Sequence, residues 1–384
     1  MTISTFNQAC VSTMIKLSRR SGVVLSRVNR GVEIWRLGVS KASPTSQPNQ
    51  TILPLDSAPT KLALIPGRKG VQDYYTAAAI NADATLLCLS DPSQTDVFSL
   101  SFPENAAPQI AKIKAVNGIF ASNVLFCDFC SIDGDELLVT LTAEGRLEAL
   151  RIRSKAKADA SSANLTFKKM AMTLSCGGLP TCLALSTRSF RGGKEAAFAA
   201  VGFSSGRVDV VDVIDGRVVT SLPVLKDICV SAVAFSPDAT EIAAVYVNRE
   251  IAFFHLDSQK THYWPRVGDH PGPGWRCPGR ALLPVHKVVY LTPMKLLMHS
   301  DKRIHVLERG VSSQTTETEE TVEYDAANDG DPQPPGFVFK TLPSFDVVHF
   351  VDVMDNGELV VAETTTEKVE EGMPEPLLKK KYGT

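Results

Sequence analysis

The chain has 384 residues, of which 44% are hydrophobic, 21% charged and 7% aromatic. This ordinary balance excludes wholesale disorder, a collagen repeat and a disulfide scaffold. Lys and Arg number 40 against 42 Asp and Glu, for a formal net charge of -2. An autonomous nucleic-acid-binding domain draws its affinity from a basic surplus that this chain lacks, so any RNA contact is expected to be local or shared with partners. The N-terminus is polar, with no apolar signal-peptide core, and no apolar run approaches the ~20 residues of a membrane-spanning helix. The eight cysteines, at 10, 88, 127, 130, 176, 182, 229 and 277, mostly sit in apolar runs. They read as reduced, buried thiols of a cytosolic or nuclear protein.

In chain order the dominant signal is short strands separated by turn residues. Val23–Leu25 with Val32–Leu37 opens a first unit. The Pro/Ser/Thr-rich stretch 41–59 reads as a long loop inside it. Tyr74–Ile80, Leu86–Leu89 and Val97–Leu100 form a second unit. Leu125–Phe129, Leu137–Leu141 and Leu147–Ile152 form a third, followed by a Lys/Ala/Ser-rich loop over 155–164. Leu183–Leu185, Ala197–Phe203 and Val208–Val213, with Val218–Leu222 outermost, form a fourth.

The fifth unit is the best formed: Val230–Phe235, a Ser236-Pro237-Asp238-Ala239 turn, Glu241–Val247 and Ile251–Leu256. Proline presets φ in that turn and the aspartate bonds its own backbone. A Gly/Pro-rich loop over 266–280 precedes a sixth unit of Leu282–Leu291, Leu296–His299 and Ile304–Leu307. The acidic stretch 312–335 carries no Lys or Arg and is too polar for a core. Val347–Val353 and Leu359–Ala362 supply half of a seventh unit. Residues 366–384 read as an extended basic tail.

Units of this size and spacing predict an all-β, seven-bladed WD40-like β-propeller over residues 1–365, since no single unit buries its own apolar faces. The third strands occupy the place of the Trp-Asp signature, and only Trp35 keeps the tryptophan. Two C-terminal strands do not complete a blade, so the last blade is expected to be incompletely closed. Either residues 2–9 finish it or the closing strands lie outside this chain.

Motifs for chemistry are sparse. Cys127-x-x-Cys130 lies on a predicted strand, where residues three apart face opposite sides. It lacks the further ligands that zinc requires, and structural thiols are the favoured reading. The seven histidines are scattered, and His255 and His305 read as surface or structural groups. The glycine pairs Gly177-Gly178 and Gly192-Gly193 lack the Lys-Ser/Thr and helix of a phosphate loop. Lys16, Arg19, Arg20, Arg27, Arg30 and Arg36 cluster near the first unit. They are candidates for phosphate contact, though a solvated blade edge is the favoured reading. Lys379, Lys380 and Lys381 beside Tyr382 are the candidate RNA or partner contact, three cations next to a stacking aromatic. No catalytic residue, metal or cofactor is expected.

The C-terminal quarter carries more. Phe350-Val351-Asp352-Val353 leads to Leu359-Val360-Val361-Ala362-Glu363, then Pro374 and Pro376, then a terminal Lys-Lys-Lys-Tyr-Gly-Thr. Upstream stand Val32-Glu33-Ile34-Trp35-Arg36-Leu37-Gly38, Trp264, Leu291-Thr292-Pro293 and Leu296-Leu297-Met298-His299. In this the chain resembles the cirhin family of WD-repeat proteins associated with the U3 small nucleolar RNA. Members look like tandem propellers, and this chain matches the second, so it is expected to be part of a longer or divided protein.

The resemblance implies a non-catalytic scaffold of the small-subunit processome in the nucleolus. It further implies other propeller subunits and the 5′ leader of pre-ribosomal RNA as partners, and a role in 18S rRNA maturation. A generic WD-repeat adaptor, such as a ubiquitin-ligase substrate receptor, is the alternative. A hydrolase built at the central channel is a third reading, resting on fold-level analogy.

Overall fold

The computed structural model describes residues 15–364 apart from 29–30, 39–56, 68–74, 104–105, 117, 155–164, 175–177, 190–194, 223–227, 249, 257–259, 264–284, 301–302, 310–336 and 343–346. The described chain is all-β, with a single 3-10 turn at Lys114–Val116. The loops expected over 41–59, 155–164 and 266–280, the acidic stretch 312–335 and the tail 366–384 lie wholly or largely outside the described residues.

Six four-stranded antiparallel sheets follow one another in the chain, and a two-stranded one ends the series. The first is β1 (Ile15–Ser18), β2 (Val23–Val28), β3 (Gly31–Arg36) and β4 (Thr60–Pro66). The second is β5 (Ala77–Ile80), β6 (Leu86–Ser90), β7 (Thr95–Ser101) and β8 (Gln109–Lys112). The third is β9 (Val124–Ile132), β10 (Asp135–Thr142), β11 (Arg146–Ser154) and β12 (Leu165–Thr173). The fourth is β13 (Pro180–Ser189), β14 (Glu195–Phe203), β15 (Val208–Asp212) and β16 (Arg217–Leu222). The fifth is β17 (Val230–Phe235), β18 (Glu241–Tyr246), β19 (Ile251–His255) and β20 (Lys260–Tyr263). The sixth is β21 (Lys287–Thr292), β22 (Lys295–His299), β23 (Ile304–Arg309) and β24 (Phe337–Leu342). The seventh pairs β25 (Val347–Val353) with β26 (Leu359–Thr364).

Within each four-stranded sheet, neighbours in sequence are neighbours in space, the meander that short turns dictate. The turns explain themselves. Asn81 Oδ1 accepts the amides of Thr85 and Leu86 at 2.8 and 2.9 Å. Ser236 Oγ donates to Asp238 Oδ1 at 2.6 Å and accepts the Glu241 amide at 3.0 Å. These side chains replace backbone partners where the chain reverses. Ala84 and Ala239, at matching places in the two turns, have φ of 54 and 50°, a region that favours glycine.

Each sheet is apolar on both faces, so each packs on two others. Ile34 and Leu25 of the first sheet pack on Leu87 and Ile80 of the second. Cys88 and Val97 of the second meet Leu138 and Leu150 of the third. Leu141 meets Val201 and Phe203, Phe198 and Val210 meet Ile242 and Phe254, and Phe253 and Val245 meet Met298 and Leu296. Leu297 and Ile304 pack on Val348 and Val351 of the seventh sheet. Phe350 then packs on Ile15, Leu17 and Val24 of the first, with Trp35 and Leu37 alongside. The packing order thus returns to its start, a propeller-like architecture.

Three corrections to the sequence reading concern the ends of sheets. The inner strand β1 was not among the expected strands, because Ile-Lys-Leu-Ser is too short to show a period. The outer strands β4, β8, β12, β20 and β24 were not expected either. The sixth sheet's inner strand starts at Lys287, not at residue 282.

The central cavity as candidate functional site

The first strand of every sheet lies innermost, and together they line a central cavity of about 1460 Å³. Its two walls differ in chemistry. Lys16, Arg19, Arg20 and Arg27 from the first sheet, Lys287 from the sixth and Asp352 from the seventh make one side. Cys127, Cys130, Thr181, Cys182 and Ser231, from the third to fifth sheets, face them, with Asp128 the acid on that side.

Four of the six cations expected on a solvated blade edge line this cavity instead, and Arg19 and Arg20 stay exposed there. Strand alternation explains it: Ile15 and Leu17 enter the core against Phe350, so Lys16 between them points the other way, into the cavity. Lys16 Nζ reaches Asp128 Oδ2 at 3.4 Å. Arg20 pairs with Asp83 at 2.8 Å and Asp355 at 3.5 Å. Arg27 donates to the carbonyls of Tyr75 and Thr76, and burial lowers its pKa. Arg36 closes β3, and Arg30 lies outside the described residues.

Asp352 is the hub. It is only 6% exposed, and it sits on β25 between two other sheets. Its Oδ1 accepts Arg19 Nη2 from the first sheet at 3.0 Å and its own strand's Val353 amide at 2.9 Å. Its Oδ2 accepts Lys287 Nζ from the sixth sheet at 2.6 Å. Burial pushes the Asp352 carboxyl up, but Lys287 and Arg19 outweigh it and hold the pKa at about 2. Asp352 in turn raises Arg19. Lys287 is lowered by burial, against the pull of Asp352. The partners thus disagree in sign, as expected when a short contact repays one desolvation better than the other. The 2.6 Å contact identifies an intact ion pair. The Lys287 ammonium also lies 4.5 Å from the centre of the Phe350 ring, a cation–π contact.

The nearby thiols and hydroxyls pack in the seams or bond across them, while the buried His299 Nε2 has no hydrogen-bond partner among the described residues. Cys127 packs between the second and third sheets while Cys130 packs toward the fourth, the opposite facing expected of residues three apart. Both are free thiols. Burial pushes Cys130 and Cys182 up to about 12, so they are protonated at neutral pH and are not nucleophiles. His299 is held neutral by burial, at about 3, and buried His305 at about 4. Hydroxyls stitch neighbouring inner strands: Thr76 Oγ1 donates to Val124 O at 2.8 Å and Thr181 Oγ1 to Val230 O at 2.7 Å. Among the described residues, no group of three or more His, Cys, Asp and Glu is arranged to hold a metal.

Sequence reasoning did not bring Arg19, Lys287 and Asp352 together. The signal was a lone acid inside the apolar run Val347–Val353 and a lone lysine at the head of Lys287–Thr292, since a buried charge requires a partner. The predicted contact residues Lys379, Lys380, Lys381 and Tyr382 lie outside the described residues. Fold and cavity together define a class, a propeller-like all-β protein whose inner charges are spent on sheet-to-sheet contacts. No protein-family model matches the chain, and no curated protein matches it.

Proposed function

We propose that the seven sheets are the blades of a WD40-like propeller working as a non-catalytic scaffold, a member of the cirhin family within the small-subunit processome. On this reading it serves pre-ribosomal RNA processing and 18S rRNA maturation in the nucleolus. Other propeller subunits are its partners, and the basic tail Lys379–Tyr382 meets RNA or a neighbouring subunit. One observation carries the scaffold part: the cyclic packing of seven sheets, whose inner acids, cations and thiols are engaged in holding sheets together rather than aimed at a shared reacting atom. The family part is supported by the Trp35 strand and the Lys-Lys-Lys-Tyr-Gly-Thr end.

The test is to tag the chain, purify it from nuclear extract, and identify the RNA and proteins that accompany it. Enrichment of the pre-ribosomal 5′ leader with other processome propellers is expected. Deleting Lys379–Thr384 is expected to weaken sedimentation with pre-ribosomal particles, and unchanged sedimentation removes the tail from the mechanism. Ubiquitin-ligase subunits without ribosomal RNA overturn the reading in favour of the adaptor.

A further inference from the structure

The second strand of each four-stranded sheet is covered by a third. Thus β6, β10, β14, β18 and β22 are buried along nearly their whole length, and β2 over Val23–Ser26. Strand β26 holds the same position in the seventh sheet, yet none of Leu359–Glu363 is buried, and Leu359 is 37% exposed. Among the described residues no strand pairs with its far edge. Its sequence, Leu-Val-Val-Ala-Glu-Thr, has no proline or lysine, the residues that blunt a free edge.

We propose that β26 is an acceptor for an extended strand donated by another polypeptide. The inference stands on the sheet arrangement alone, whatever assembly the scaffold serves.

The sister sheets define the occupant. Their third strands bury residues on both faces, as in Ile251, Ala252, Phe253 and Phe254 of β19 and throughout Val208–Asp212. The seventh sheet offers the same two-sided setting. Val361 faces the cluster shared with the sixth sheet, and Val360 and Ala362 face the one that holds Trp35 and Leu37. The partner segment is therefore four or five consecutive, mainly β-branched or aromatic apolar residues, antiparallel to β26. Backbone bonds supply affinity and the two apolar faces supply selectivity.

This chain's own sequence fits that place poorly. Residues 365–371, Thr-Thr-Glu-Lys-Val-Glu-Glu, contain one apolar residue, and Pro374 and Pro376 follow; proline cannot donate to a ladder. Residues 2–9, the other candidate for completing the seventh sheet, lie outside the described residues.

Two measurements on the full chain test the proposal. In the purified chain, amides of β26 are expected to exchange with deuterium at least about tenfold faster than those of β10, as an uncovered edge requires. Exchange as slow as in β10 overturns it. Second, a benzophenone photo-crosslinker is placed at Leu359 and, separately, at Val361, and irradiated in cells. Both positions are expected to link to one apolar segment of another protein. The linked residues should step about two positions backward as the probe steps two forward, as antiparallel pairing dictates. Links to residues 1–14 or 365–384, links to a second copy distinguished by isotope labelling, or no links at all overturn it. Leu359→Lys, at an exposed position, is expected to keep the melting temperature and lose the link from Val361. A donor outside the processome sinks the ribosomal reading and leaves this one standing.

Discussion

Replacing Asp352 by alanine removes one carboxylate and strands the largely buried Lys287 ammonium, while Arg19, whose side chain is half exposed, turns to solvent. Breaking a buried pair from one side costs about 3–5 kcal/mol, because the remaining charge stays buried and uncompensated. The pH dependence gives a second handle. The Asp352 pKa of about 2 lies below the ~3.9 of an unfolded aspartate, a gap worth roughly 2.6 kcal/mol at ~1.36 kcal/mol per unit. Burial of Lys287 lowers its own pKa, so the net value of the pair is smaller than that gross figure. The folded pKa is depressed, so this stability is fully present above pH ~3.9 and is lost as pH falls toward 2. Urea unfolding at pH 7 is expected to show Asp352→Ala destabilised by about 3 kcal/mol. Between pH 5 and 2 the difference between the two proteins should shrink. A variant within about 0.5 kcal/mol of wild type at pH 7, or parallel loss in both proteins on acidification, refutes the assignment of Asp352 as a clasp.

Other outcomes follow from single positions. Gly206 has φ +87°, and a Cβ there would meet the Ile228 carbonyl oxygen at 2.6 Å. Gly206→Ala should therefore cost at least about 2 kcal/mol in chemical denaturation. Ala239 has φ 50° and is fully buried, so Ala239→Gly should match or exceed wild-type stability by up to about 1 kcal/mol, while Ala239→Val loses at least about 2. His299 and His305 have depressed folded values of about 3 and 4. Stability should fall as pH drops from about 6.5 toward 4, where the unfolded state takes up protons first, and His305→Asn should flatten that slope in thermal melts. Cys130 and Cys182 should label with iodoacetamide in the native protein far more slowly than after unfolding, because their pKa values of about 12 keep the thiolate scarce at pH 8.

The strand grammar was legible where burial and periodicity coincide. Glu241–Tyr246 and Ile251–His255 stand within a residue of expectation, since both are continuous apolar runs set off by a Ser-Pro-Asp turn and an Asn turn. The outer strands were illegible for the opposite reason. Strand β8 has no fully buried residue among Gln109–Lys112, and β4 exposes Leu64 to 50%, so neither carries the contrast that a period search needs. The cations of the first sheet were misplaced because a rule that sends charge outward assumes one solvent boundary. Sheets packed in sequence around a cavity have a second one there, and Lys16, Arg19 and Arg27 use it. Asp352 was visible only as part of a strand, since its partners are 65 and 333 residues away.

The seventh sheet explains why the polar clasp sits where it does. Among the described residues, the five seams joining the first to the sixth sheets each bury between 11 and 14 apolar residues, from the smallest cluster to the largest. The two seams of the seventh bury 4 each. Apolar burial contributes about 25 cal/mol per Å², so among the described residues these two seams have the least apolar support. Asp352 bridges both at once, through Lys287 on one side and Arg19 on the other, and the Arg19 carbonyl accepts the Asp355 amide at 3.1 Å beside it. Local opening should therefore begin at β25, and native-state exchange in low denaturant should release the β25 amides below the global unfolding free energy while those of β14 report it in full. Asp352→Ala should widen that gap without moving the order. Release of β25 and β14 together, at one free energy, would mean that apolar burial does not set the order of opening around the ring.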